Sequence, residues 1–247
     1  MLPWKVLASA TTNGHALQLR QRGATDFLIM VDGRVLMTSN EKTSEVALAT
    51  LACAEIAERK APRLMIGGLG MAYTLRAALD ALPRTARVTV AELTPEIEAW
   101  CKGPLAPLTK AATSDPRVSV VIDDVSLVIQ RAKPGSYDAI VLDLYEGPHG
   151  TQRRENDPFY GRVALERTYR ALSPGGVFAV WSEEGNALFK RRMTDAGFDT
   201  KVHHPGGPRA YVVYLGMRAP EGARAEPRGR TRARPAVSAA PSRSRRR

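Results

Sequence analysis

Acidic side chains follow three short apolar runs of the sequence, and their positions suit the binding of a nucleoside and the deprotonation of an amine. Glu92 follows one such run, Asp123 and Asp124 follow a second, and Asp143 follows a third. A carboxylate can accept hydrogen bonds from both ribose hydroxyls or from the exocyclic amine of adenine, and it can take a proton from an ammonium ion. These residues are therefore the first candidates for chemistry.

Asp143 is the best candidate for a general base. A free aliphatic amine is mostly protonated at neutral pH, so its attack on an electrophilic carbon requires a base. Tyr145 and Glu146 follow Asp143 closely, and two carboxylates with an aromatic ring between them suit the capture of a cationic amine. The structural alternative is a buried carboxylate held by backbone amides.

A glycine-rich turn precedes these acids in the chain. Gly67, Gly68 and Gly70 lie between an apolar run and a helical pattern, where glycines permit a tight turn and let a ligand approach backbone N–H groups at the helix start. Glu92 lies 22 residues after Gly70, which agrees with the spacing of a ribose-binding acid. The dinucleotide pattern requires a small residue where Tyr73 stands, which disfavours NAD.

Each of these signals also has a plain structural reading. The glycine turn could serve packing alone, and Glu92 could be a surface residue at a strand end. One of the two aspartates, Asp123 or Asp124, could simply cap the helix predicted to start at Ser126.

The elements that would position these side chains form an alternating pattern from residue 63 onward. A helix is predicted at 44–59, before this pattern. Strands then follow at 64–66, 88–91, 118–122, 139–142, 177–181, 198–202 and 211–215, and helices at 74–82, 95–102, 126–132, 158–172 and 186–196. Such alternation is typical of a doubly wound, Rossmann-like α/β fold with a largely parallel sheet of seven strands. Ligands of such sheets bind beyond the carboxyl ends of the strands, where the acids lie.

Three segments differ in composition. Residues 1–40 contain short strand-like runs separated by Asn-Gly, Arg-Gly and Asp-Gly turns, which predicts a small N-terminal antiparallel β domain. Residues 41–218 are predicted to form the Rossmann-like domain. Residues 219–247 contain no Leu, Ile, Phe, Tyr or Trp, so they cannot build a core and are predicted to be a disordered, Arg-rich tail.

The tail accounts for most of the net charge. The chain carries 36 Lys and Arg against 25 Asp and Glu, a formal charge of +11. Nine Arg and two Glu in the tail contribute +7, which leaves +4 for residues 1–218. Arginine clusters bind phosphate without sequence specificity, so a nucleic-acid partner is considered for the tail alone, with a solvated appendage as the alternative.

Several classes are excluded or disfavoured by composition. No stretch approaches the ~18 apolar residues that a spanning helix needs, and the N-terminus lacks the layout of a signal peptide, so we expect a soluble, cytoplasmic protein without a membrane partner. Cys53 and Cys101 have no Cys or His at ligand spacing, so we expect neither a disulfide framework nor a metal.

The order of these motifs resembles the spermidine synthase family over about residues 25–200. The segments that carry the resemblance are 66–70 with 74–76, 90–97, 115–118 with 122–124, 137–143 and 172–177. The resemblance implies a class I methyltransferase-like fold and the transfer of an aminopropyl group from decarboxylated S-adenosylmethionine to an amine, in polyamine biosynthesis. It also allows a homodimer.

The resemblance assigns roles to five acids. Glu92 matches the acid that binds ribose, Asp124 the acid that binds adenine, and Asp143 the carboxylate that deprotonates the attacking amine. Glu146 matches the second acid of the same loop, and Glu45 matches an acid near the start of the first helix. Glu45, Glu146 and Tyr145 are therefore the predicted contacts of the amine substrate.

The chain also departs from the family pattern. Residues 67–76 contain no acid, whereas the family has an aspartate there that holds the aminopropyl amine. The apolar pair 36–37 stands where the family has a cosubstrate-binding glutamine. Arg153 and Arg154 lie in the loop that would cover the site, and they suit an anionic substrate better than a dication.

Three hypotheses follow. The first is a transferase that moves an aminopropyl group from a decarboxylated S-adenosylmethionine-type donor. The second, motivated by the missing acid, is a methyltransferase that uses intact S-adenosylmethionine on the same scaffold. The third is a non-catalytic nucleotide-binding module with a nucleic-acid-binding tail.

Overall fold

The computed structural model describes residues 2–12, 14–145, 147–148, 156–206 and 211–222. It contains a four-stranded antiparallel sheet followed by a seven-stranded, mostly parallel sheet with helices on both faces. The α/β class, the leading antiparallel sheet and the seven-stranded sheet predicted from the sequence are all confirmed.

The N-terminal sheet has the strand order β1-β2-β3-β4. Its strands are β1 (Lys5–Thr12), β2 (His15–Arg22), β3 (Asp26–Val31) and β4 (Arg34–Thr38). Alternate residues of β2 and β3 are buried, among them Leu17, Leu19, Phe27 and Ile29, because successive side chains of a strand point to opposite faces. One face of this sheet therefore packs on the rest of the protein.

The larger sheet has the order β10-β11-β9-β8-β5-β6-β7, with β5 to β9 parallel and β11 antiparallel to both of its neighbours, β9 and β10. Its strands are β5 (Arg63–Gly67), β6 (Arg87–Glu92), β7 (Val118–Ile122), β8 (Tyr137–Leu142), β9 (Leu172–Ser182), β10 (Asp199–His203) and β11 (Val212–Met217). The helices are α1 (Thr43–Ala54), α2 (Tyr73–Ala81), α3 (Pro95–Lys102), α4 (Val125–Arg131), α5 (Arg162–Ala171) and α6 (Ala187–Asp195).

Two predicted helices are longer than the observed ones. The helix expected at 44–59 ends at Ala54, and turns bring Arg59 to the Asp138 carboxylate at 2.8 Å. The helix expected at 158–172 begins only at Arg162, because Asp157 Oδ1 accepts the amides of the next residues and holds them in a turn. At the second of these helices the hydrogen bonds of the Asp157 side chain compete with the helical ones.

The two sheets share one hydrophobic core. Leu19 and Ile29 of the N-terminal sheet belong to the same buried cluster as Leu48 of α1 and Ile66 of β5. The boundary at residue 40 stays a prediction. All nine arginines of the tail lie outside the described residues.

No helix in the described part of the chain is both long and apolar enough to cross a membrane.

Candidate active site

The glycine turn lies at the carboxyl end of β5, where it touches both neighbouring strands. The Gly68 amide donates to the carbonyl of Ala91 at 2.9 Å, and the Gly67 carbonyl accepts from the Asp143 amide at 2.8 Å. Gly68 has a φ of +90°, and a Cβ there would lie 2.3 Å from the backbone oxygen of Asp143. Only glycine fits this position, so the close approach of turn and strand depends on it.

Glu92 ends β6 beside this turn and is 8% exposed. Its Oε2 accepts a hydrogen bond from the Leu69 amide at 2.8 Å, and its Oε1 accepts one from the Thr94 amide at 2.9 Å. Burial raises the pKa of this carboxyl, and the backbone hydrogen bonds oppose that rise. The two backbone hydrogen bonds orient the carboxylate at the edge of the glycine turn.

Asp143 follows β8 at the same edge of the sheet and is partly buried. Its Oδ2 accepts a 2.5 Å hydrogen bond from the hydroxyl of Thr74, which lies in the first turn of α2. Burial raises the pKa of the Asp143 carboxyl to about 7, opposed by the Thr74 hydrogen bond and assisted by the negative charge of Glu45. A carboxylate that titrates near neutrality is suited to general-base catalysis.

Glu45 lies in the first turn of α1, and its Oε2 accepts a 2.7 Å hydrogen bond from Ser44. Its charge acts on Asp143 and also contributes to the raised pKa values of Tyr73 and Tyr211, after burial. The structure thus places Glu45 close enough to Asp143 for the two acids to interact. Two carboxylates near one another provide a negative site for an ammonium group.

Asp123 and Asp124 lie where predicted, after β7, and both carboxylates have local partners. Asp124 Oδ1 accepts the Ser126 amide at 2.7 Å and caps α4. Asp123 Oδ1 accepts the Asp124 amide, and its Oδ2 pairs with Arg131 at 2.5 Å. The predicted cap is therefore present, and adenine recognition by either residue stays a prediction.

The predicted amine contacts after β8 are only partly described. Tyr145 is 64% exposed, and Glu146 lies outside the described residues, as do Arg153 and Arg154. Trp181 anchors the segment, because its indole N–H donates to the carbonyl of Leu144 at 3.2 Å. An exposed tyrosine beside a held backbone segment is accessible to a substrate.

Besides sharing the hydrophobic core, the N-terminal sheet makes polar contacts with the glycine turn and with α3. Met37 of β4 accepts the Met71 amide on its sulfur at 3.3 Å, and a Cβ on Gly70 would lie 3.0 Å from that sulfur. Thr12 of β1 donates to Glu96 of α3 at 2.9 Å. The thioether therefore occupies space directly above the turn.

A groove of about 560 Å³ lies beside the start of α1. Val46, Leu51, His203 and Tyr211 are among its lining residues. Tyr211 also donates to the carbonyl of Thr43 at 3.2 Å, which joins the groove wall to the first turn of α1. The groove does not include Asp143 or the glycine turn, so it is a neighbour of the site.

Within the described residues, no group of three or more His, Cys, Asp or Glu side chains is arranged to hold a metal ion. Cys53 and Cys101 are both buried and unpaired with each other. Burial raises the pKa of each thiol to about 12, which leaves both protonated and unreactive at neutral pH.

Two residues of the site were not identified from the sequence. In the sequence Thr74 is one residue of a motif, and Met37 belongs to the apolar pair that stands where the family pattern has a glutamine. The signal for Thr74 was available, because a hydroxyl in the first turn after a glycine loop lies at the ligand edge of the sheet. Met37 gave no such signal, since a methionine in a strand is ordinarily a packing residue.

Known proteins match parts of this sequence. A family model described as "Spermine/spermidine synthase domain" matches residues 58–196. Putrescine N-methyltransferase 3 from Nicotiana tabacum is 31% identical over 120 residues, which cover 49% of this chain and 29% of that protein. Polyamine aminopropyltransferase from Mycobacterium tuberculosis (strain ATCC 25618 / H37Rv) is 30% identical over 104 residues, 40% of this chain and 18% of that protein.

Solved structures share the fold. Spermidine synthase from Thermotoga maritima superimposes with a TM-score of 0.70 at 17% identity, covering 87% of this chain and 73% of that one. A spermidine synthase in complex with the transition state analogue AdoDATO gives 0.67 at 18% identity, with the same coverage. The matched stretches span less than a third of each of these two curated relatives. The family model therefore establishes the family, and the solved structures establish the fold alone.

Proposed function

The chain belongs to the spermine/spermidine synthase domain family, and on this premise we propose that it transfers an aminopropyl group from decarboxylated S-adenosylmethionine to an aliphatic amine. The observation that carries the proposal is the Asp143 carboxyl, which lies at the ligand edge of the sheet with a pKa of about 7. A nearby second acid, Glu45, favours a cation at this place.

In the proposed reaction the carboxylate of Asp143 takes a proton from the ammonium form of the acceptor. The freed nitrogen lone pair attacks the carbon next to the sulfonium, the new C–N bond forms, and the C–S bond breaks. The sulfur keeps the bonding electron pair and leaves as the neutral thioether methylthioadenosine. Holding the two reactants in line supplies most of the rate enhancement.

The donor would bind across the glycine turn. Gly67, Gly68 and Gly70 would let its adenosine approach the start of α2, and Glu92 would accept the ribose hydroxyls. Asp123 or Asp124 would accept the adenine amine. Support for this placement comes from the oriented Glu92 carboxylate and from the absence of a side chain at Gly68.

The acceptor would lie on the other side of Asp143. We propose Glu45, Tyr145 and Glu146 as its contacts, with the carboxylates facing its ammonium group and the ring of Tyr145 beside it. The names of the curated relatives, which include putrescine, support an aliphatic amine as the acceptor. We place this activity in the cytoplasm. We also propose that the protein forms a homodimer, which light scattering would test.

Methyl transfer from intact S-adenosylmethionine is the second candidate, and three observations favour it. Residues 67–76 carry no acid that could hold the amine of an aminopropyl donor, and Met37 lies above the turn. The relative with 31% identity is also named a putrescine N-methyltransferase. Both candidates use Asp143 in the same way.

Calorimetry with decarboxylated S-adenosylmethionine, intact S-adenosylmethionine and methylthioadenosine separates the two. Aminopropyl transfer predicts at least tenfold tighter binding of the decarboxylated donor, a difference of about 1.4 kcal/mol, and a propylamine adduct when putrescine is added. The opposite preference with a methylated product would establish the second candidate. Binding without any turnover would leave a non-catalytic nucleotide-binding module.

A further inference from the structure

Thr74 joins the start of α2, which follows the glycine turn, to Asp143, which follows β8. It is the second residue of α2 and is 2% exposed, and its position is fixed by the helix behind it, whose residues Leu75 and Ala78 are buried in the core. A buried hydroxyl needs a hydrogen-bond partner. Threonines in helices often satisfy this need with a carbonyl of the preceding turn, but the Thr74 hydroxyl instead donates to Asp143, 69 residues away.

This hydrogen bond completes a two-point attachment of Asp143. The backbone of Asp143 is held by its amide, which donates to the Gly67 carbonyl at 2.8 Å. Its side chain is held by Thr74 through Oδ2 at 2.5 Å. In the described part of the chain no group donates to the other oxygen, Oδ1, which therefore remains available.

We propose that Thr74 is a positioning residue for the reaction: its hydroxyl fixes the rotamer of Asp143 and leaves Oδ1 to receive the proton of the amine. The proposal rests on the proposed function for its role in turnover, while the Thr74–Asp143 interaction itself can be measured in the free protein. Because the donating hydroxyl favours the ionised carboxylate, it also keeps part of Asp143 in the form that a base requires.

The other charged group that acts on Asp143 has the opposite effect. Burial raises the pKa of Asp143, and repulsion by Glu45, from α1, raises it further. Among the described residues these two influences and the Thr74 hydrogen bond are the ones that set the pKa. Removing the Thr74 hydroxyl while keeping the shape of the side chain should therefore raise the pKa of Asp143.

Thr74→Val removes the hydroxyl at nearly constant volume, and Thr74→Ser retains it. A side-chain ¹³C NMR titration of Asp143 in the ligand-free protein should show an upward shift of about one pH unit in the valine variant, which is the size expected for one hydrogen bond to a charged group. The serine variant should titrate close to the unmodified protein. Thr168→Val is the matched control, since Thr168 is equally buried but donates to Ala164.

Turnover gives the second readout. If the proposed reaction occurs, the acid limb of the pH profile of kcat/KM should move to higher pH in Thr74→Val by the same amount. In Thr74→Ser it should return to the position found in the unmodified protein. The titration needs no substrate, so an inactive protein with the expected Asp143 shift would refute the proposed function and retain the Thr74–Asp143 interaction.

A double-mutant cycle measures the Thr74–Asp143 interaction if Thr74→Val is too unstable for the NMR titration. Combining Thr74→Val with Asp143→Leu removes both the donor and the acceptor. The double change should destabilise the protein less than the sum of the two single changes in urea unfolding, because each single change leaves one buried partner unpaired and the double change leaves none. An Asp143 titration unchanged in Thr74→Val, or additive stabilities if that variant is too unstable to titrate, would overturn the proposal.

Discussion

The carboxylate of Glu92 joins the end of β6 to the glycine turn, since its Oε2 accepts the Leu69 amide at 2.8 Å. The same carboxylate accepts the Thr94 amide through Oε1 at 2.9 Å, so its plane is fixed before any ligand arrives. A donor that bound here would meet an acceptor that needs no reorganisation, which favours affinity.

Glu92→Gln should weaken donor binding at least tenfold. The amide NH₂ of glutamine cannot accept a hydrogen bond, so one of the two backbone amides loses its acceptor, at a cost of about 1–3 kcal/mol. Calorimetry with methylthioadenosine and thermal unfolding would both register the loss. Glu184→Gln, at an exposed position, is the control and should change neither. Unchanged affinity in Glu92→Gln would remove Glu92 from the binding site.

Gly68→Ala should disrupt the turn far more than an equivalent change elsewhere. A Cβ at Gly68 would lie 2.3 Å from the backbone oxygen of Asp143, whereas Gly14 has a similar positive φ with nothing within 4 Å. We expect Gly14→Ala to cost about 1 kcal/mol from backbone strain alone, and Gly68→Ala to cost at least about 3 kcal/mol with loss of ligand binding. Urea unfolding measures both, and equal costs would contradict the described approach of the turn to Asp143.

Asp143 should make stability fall as pH rises from about 4 to about 7. Its folded pKa of about 7 lies above the ordinary value of 3.8, so across this window the native state holds a proton that the unfolded state has released. Asp143→Asn removes this dependence and should gain stability relative to the unmodified protein between pH 5 and pH 8. Asp199→Asn, at an exposed site, is the control. A constant difference between Asp143→Asn and the unmodified protein at the two pH values would show that the carboxyl is ionised throughout.

Deletion of residues 223–247 should leave the melting temperature and donor affinity unchanged, because the segment lacks the apolar residues that would pack on the protein. Any nucleic-acid binding by the full chain should weaken steeply with salt and disappear in the truncated protein. Fluorescence anisotropy with a labelled duplex at two salt concentrations provides the measurement. Retained binding after truncation would move the contact to the body of the protein.

The succession of strands along the chain, and with it the place of Asp143 and Glu92 at strand ends, was predictable because ligands of a parallel sheet bind beyond the carboxyl ends of its strands. Helix ends were less predictable. The apolar spacing that suggested a helix to residue 59 continues beyond Ala54, yet Arg59 has a tertiary partner in Asp138 that favours a turn.

The interactions between distant residues could not be derived from local patterns. Thr74 and Asp143 are 69 residues apart, and their hydrogen bond depends on the rotation of α2 relative to β8. The same is true of Met37, whose sulfur, on β4 of the N-terminal sheet, accepts the amide of Met71 in the turn after β5. Such contacts follow from packing, which periodicity does not encode.

The most direct test compares product formation by the unmodified protein and Asp143→Asn, with decarboxylated or intact S-adenosylmethionine as donor and putrescine as acceptor. We expect turnover by the unmodified protein, a fall in kcat of at least about 100-fold in Asp143→Asn, and nearly unchanged binding of methylthioadenosine in both. Turnover by Asp143→Asn at the unmodified rate would contradict the assignment of Asp143 as the base.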